Sequence, residues 1–159
     1  MQIGHATLEP VLVALQAWQV TLLWIHDWIP LGRLNDLAAV RAADTRARLV
    51  RVTLLQSVPY TLLLVWSLGL LGHPWPARLV WWLLGSYGVL LAGELKAWWI
   101  PYAAGTTAAH AERFRAMFGR THAFLPVRHG IVPNTLHVAL HAATLGTVVT
   151  LLALLAPTA

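Results

Sequence analysis

Two histidines, His137 and His141, stand one helical turn apart in an apolar stretch of this 159-residue chain. Imidazoles spaced i and i+4 can close on one metal ion together. Glu94 lies in a second apolar stretch and His26 in a third. Added to the pair, they make a nitrogen/oxygen set of the kind that zinc, iron or copper takes. His26 opposite either of the other two histidines is also the pairing that ligates haem. The competing account is that these side chains only hydrogen-bond between helices and fix their packing. Glu94 supports a third chemistry, because a carboxyl group held away from water can carry a proton in exchange for a solute. Lys96 is no partner for it, lying about 200° further around the helix.

The surrounding polar residues fall on stripes. Asn134, His137, His141 and Thr144 recur at intervals of three and four and so share one helix face. Tyr87, Glu94, Trp98 and Pro101 form a second stripe, Thr53, Gln56, Tyr60 and Ser67 a third, and Gln16, Gln19 and His26 a fourth. Polar groups turn inward in lipid, since leaving one in hydrocarbon costs several kcal/mol. Gln56, Tyr60 and Asn134 are thereby candidates to bind a substrate beside the catalytic candidates Glu94, His137 and His141. Arg120, His122 and Arg128, with His129, precede the last stripe and are placed to hold a phosphate or carboxylate at its mouth. Asn35 and Asp36 read as turn and cap residues. No G-x-S-x-G, P-loop, G-x-G-x-x-G or HExxH motif occurs.

The elements that must position these groups follow from composition. Hydrophobic residues make up 58% of the chain and charged ones 11%, with a mean hydropathy of +0.63. A water-facing domain carries about 25% charged residues. Four apolar runs, over about 11–30, 50–71, 78–101 and 133–155, each have the length a helix needs to cross about 30 Å of hydrocarbon. The expectation is an all-α polytopic membrane protein, one up-down four-helix transmembrane bundle over 1–159. The first run has no Lys or Arg before it and no small-residue cleavage site after it, so it reads as a span rather than a signal peptide. Tryptophans 28, 75, 81, 82, 98 and 99, at the ends of the runs, read as membrane-edge anchors. Residues 106–118 read as a short interfacial helix with Ala111, Phe114, Met117 and Phe118 on one face and Gly119 at its end.

Charge orients the chain. Arg33, Arg41, Arg46, Arg48 and Arg51 lie between the first two runs, and Lys96, Arg113, Arg115, Arg120 and Arg128 around the connection between the last two. The remaining connection has only Arg78. The positive-inside rule puts the two long connections in the cytoplasm and both termini outside a cell (inner) membrane. The net charge of +5 then reflects insertion and attraction to anionic headgroups rather than nucleic-acid binding. With no cysteine, disulfides and thiolate metal sites are excluded.

By helix rise, Glu94 lies roughly 10 Å from the Pro101 end, and His137 and His141 roughly 6 and 12 Å from Pro133, so they can meet at one level. Three functions fit: a metal- or haem-dependent enzyme or redox protein acting on a lipophilic substrate, a small, oligomeric proton-coupled transporter using Glu94, or an assembly subunit without catalysis.

Overall fold

In the computed structural model, which describes residues 5–156, the chain is all-α, with no strand among those residues. In order come α1 (His5–Ile25), a 3-10 turn (Gly32–Leu34), α2 (Leu37–Ala43), α3 (Arg46–Gly69), α4 (Ala77–Glu94), a π turn (Leu95–Trp99), α5 (Ile100–Ala104), α6 (Ala108–Phe118) and α7 (Thr135–Leu155). Three segments are long and apolar enough to cross a membrane: Leu8–Ile25, Arg46–Gly69 and Thr135–Leu155. The run over 78–101 departs from that description for a physical reason. α4 carries Arg78 and Glu94 near its two ends, and its hydrogen-bond ladder then slips to the wider π spacing, with Ile100 N–H donating to the Leu95 carbonyl.

Helix starts are set by side chains that accept otherwise orphaned N–H groups. Asp36 caps α2 through Ala39 N–H, Thr45 caps α3 through Arg48, Thr107 caps α6 through His110, and Asn134 caps α7 through His137. The first long helix stops about a turn earlier than the apolar run suggests. Asn35 folds the chain back there, its amide donating to the carbonyls of His26 (2.7 Å) and Ile29 (2.8 Å) while its Oδ1 accepts from Leu31 N–H (2.8 Å).

The long helices pack antiparallel to their neighbours. α1 meets α7 through Gln19 with Thr144 and His26 with His137, and meets α3 through Trp24 with Thr61 and Trp28 with Thr53. α4 and its continuation meet α7 through Glu94 with Thr144 and Trp98 with His137. The expected inward stripes are present, with Gln16, Gln19, His26, Thr53, Tyr60, Ser67, Tyr87, Glu94, Trp98, Asn134, His141 and Thr144 all buried. Outward faces are apolar: Leu62, Val65, Trp81 and Trp82 are all more than half exposed.

α6 differs from the expected surface helix in what its apolar face meets. Ala111, Phe114 and Met117 are buried against Trp98, Tyr102 and Ile131, so α6 closes one end of the bundle. The 119–134 connection lies close over it, since at Gly130 (φ 76°) a Cβ would stand 2.9 Å from that of Ala111. Gly119 ends the helix, but with ordinary helical φ of −64° rather than in the left-handed region. Asp44 binds both Arg48 and Arg113 at 2.9 Å, and Asp36 binds Arg120 at 2.8 Å, joining the first long connection to the second. Their arginine ends are solvent-exposed, so each pair contributes little.

Because Asn35 alone satisfies three backbone groups, Asn35→Ala should lower stability by about 1–3 kcal/mol. Thermal unfolding in detergent measures it, with Asp36→Ala expected to cost about 1 kcal/mol as a lost cap.

Candidate functional site

A cavity of about 360 Å³ lies among α1, α3, α4 and α7. Its inner wall holds His26, Glu94, Trp98 and His141, all buried, with half-buried His137 beside them. Gln56 and Tyr60 come from α3, and Tyr60 donates to the Ser86 carbonyl at 3.0 Å. The rim is apolar: Leu55 on α3 is 69% exposed and Val89 on α4 is 75% exposed. Between them stand the small residues Gly93 on α4 and Ala97 in the π turn, and a Cβ added at Gly93 would meet open space. The cavity therefore opens sideways, between α3 and α4.

The ring nitrogens are each held by a specific neighbour. Asn134 Oδ1 accepts from the His137 backbone N–H at 3.0 Å, which fixes it as an oxygen, and the His137 Nδ1 lies 2.7 Å from it. Nδ1 therefore carries the proton, and neutral His137 presents a lone pair at Nε2. His141 is the reverse. Trp99 Nε1–H, a donor only, points at His141 Nδ1 at 3.1 Å, so the lone pair is there and the proton sits on Nε2. His26 donates from Nδ1 to the Leu22 carbonyl (2.9 Å) and sets Nε2 3.2 Å from Asp27.

Trp98 lies flat on His137, with ring centroids 4.2 Å apart, and its own ring is bounded by Phe114 and Phe118. Consecutive residues of an α-helix point about 100° apart. The π turn draws Trp98 and Trp99 closer in direction, so that Trp98 reaches both histidines and Trp99 reaches His141. Trp98, expected both on an inward stripe and near the end of its run, is 7% exposed and part of the site.

Glu94 has no ion pair among the described residues, and Lys96 is exposed, as the spacing implied. Its Oε1 accepts from Thr144 Oγ1 at 2.7 Å, and that hydroxyl in turn accepts from Gln19 Nε2 at 2.5 Å. Glu94 Oε2 is buried with no hydrogen-bond partner. Further along, Gln16, Tyr87 and Thr147 also bury polar atoms without a partner. One turn beyond these, Leu12, Leu83 and Leu151 are fully buried in a common core cluster and close the polar column.

His137, His141, Glu94 and His26 share this cavity, yet no group of three His, Asp or Glu side chains among the described residues is disposed to hold a metal ion. The hydrogen bonds explain why. A metal on His141 Nε2 would force a proton onto Nδ1, against the Trp99 N–H. Freeing His26 Nε2 would break its contact with Asp27. As placed, His141 Nδ1 and both ring nitrogens of His26 are already engaged. The expected anion-binding residues each have a partner within the protein. Arg120 pairs with Asp36, His122 Nδ1 meets Thr135 Oγ1 at 2.7 Å, and the Arg128 guanidinium sits 5.6 Å over the Tyr102 ring.

Against family models, curated proteins and solved structures, the chain has no match.

Thr144 is the junction of the polar chain. Thr144→Val keeps the shape but strands both Gln19 and Glu94, and should cost about 1–3 kcal/mol. Thr147→Val removes an unpartnered hydroxyl and should be neutral or stabilising. Unfolding of the two variants in the same detergent compares them directly.

Proposed function

We propose that this chain crosses the membrane four times, with α4, the π turn and α5 as the third span, and binds the head of a lipophilic molecule in the cavity. Both long connections then face the cytoplasm, as the placement of the arginines favours. The molecule reaches the cavity from the cytoplasmic leaflet, sliding between α3 and α4 past Leu55 and Val89. Its head meets Glu94, His137 and His141, and Glu94 hydrogen-bonds to it. The carrying observation is a cavity whose wall is polar and whose rim is lipid-like. Such sites bind by apolar burial and are oriented by a few polar groups. The leucine layer at Leu12, Leu83 and Leu151 favours a pocket open to one side over a pathway through the bundle.

The test is a monoacylglycerol carrying a nitroxide near its chain end, added to the protein in nanodiscs. A strongly immobilised spectral component is expected in the unaltered protein and should fall several-fold in Gly93→Leu, which fills the opening without touching Glu94. Equal immobilisation in both would sink the reading. So would stoichiometric metal or a Soret band lost in His137→Ala, which would favour a metal- or haem-dependent enzyme. Glu94→Gln should abolish the ligand-induced carboxyl change in infrared difference spectra.

A further inference from the structure

The two histidines at the cavity are locked in opposite tautomers by partners outside it. Asn134 Oδ1, itself fixed by the His137 backbone N–H, holds the proton on His137 Nδ1 and leaves Nε2 as an acceptor. The Trp99 indole, which can only donate, holds the lone pair on His141 Nδ1 and leaves Nε2–H as a donor. Neither ring can exchange these roles without losing a hydrogen bond in a buried place, which is the costly kind of loss. The pair stands on successive turns of α7, with ring centroids 6.0 Å apart. No lysine or arginine lines the cavity.

We infer that the site selects an uncharged head in which a hydroxyl and a carbonyl stand side by side, the hydroxyl donating to His137 Nε2 and the carbonyl accepting from His141 Nε2–H. The inference rests on the lipophilic-ligand reading above and adds the chemistry of the head. An anionic carboxylate or phosphate finds one donor but no cation, and it meets the His137 lone pair. A head without a hydroxyl leaves His137 Nε2 unpaired, and discrimination of this type is strong because the buried group stays unsatisfied. A monoacylglycerol carries the required head on an alkyl chain, with a glycerol hydroxyl beside the ester carbonyl.

The experiment has two parts. Nitrogen-15 spectra of histidine-labelled protein in nanodiscs report which ring nitrogen carries the proton. Nδ1–H at His137 with Nε2–H at His141 is expected, and the same tautomer at both positions overturns the inference. Competition against the nitroxide probe then reads the head group. Monoolein serves as the uncharged arm and lysophosphatidate as the charged arm. Monoolein should displace the probe roughly tenfold better than lysophosphatidate, the factor a single hydrogen bond supplies. Trp99→Phe, which frees the His141 tautomer, should narrow that ratio while leaving probe immobilisation intact. Charged and uncharged heads competing equally would overturn the head-group inference and leave the pocket standing. Failure of every amphiphile to compete would overturn both.

Discussion

The hydroxyl of Thr144 receives the Gln19 amide and donates to the Glu94 carboxyl, joining α1, α4 and α7 at one buried point. Much of the interior depends on that junction. Away from water a carboxyl group must find partners inside the protein, and Glu94 has this one. The helices must therefore keep a register in which residues 19, 94 and 144 lie at one level. That register brings His26 against His137 and sets the two tryptophans of the π turn on the histidines one and two turns below Thr144.

The same register divides the bundle. On one side of the junction the helices stand apart enough to enclose a cavity with an opening toward α3 and α4. On the other side, unpartnered polar groups at Gln16, Tyr87 and Thr147 give way within a turn to closely packed leucines. α6 shuts the cavity end of the bundle with Phe114, Phe118 and Met117, and two acidic residues of the first connection hold it by exposed arginine pairs. Side chains around the histidines are thus fixed from several directions, which is what a site needs if ring nitrogens are to keep defined roles.

Much of this was legible in the residues. Intervals of three and four placed Gln16, Gln19, Glu94, His137 and Thr144 on inward faces, because lipid leaves polar side chains nowhere else to go. Asn35 and Asp36 read correctly as turn and cap. Other features had no local signal. The π turn packs against α7 through Trp98 and Trp99, and nothing in the order Leu95 to Trp99 distinguishes it from an α-helical run. Trp99 consequently read only as an edge anchor, the common role of indoles at the end of an apolar stretch, while Trp98 also fell on an inward stripe. Ligand spacing at 137 and 141 suggested metal, but it cannot report that an indole from another helix occupies one lone pair. Arg120, His122 and Arg128 lie near one another in sequence, and their partners Asp36, Thr135 and Tyr102 could not be read from that order.

The π turn also governs how the chain tolerates changes of length. The segment beyond residue 99, from Tyr102 through α6, follows a turn that takes up one extra residue at nearly the length and rotation of an α-helical turn. Deleting one residue between 95 and 99 would therefore restore an unbroken ladder and leave α6 near its present place. Inserting one, with no second wide turn to absorb it, would rotate the same segment by about 100° and carry α6 off the end of the bundle. The chain there is built to lose a residue more easily than to gain one.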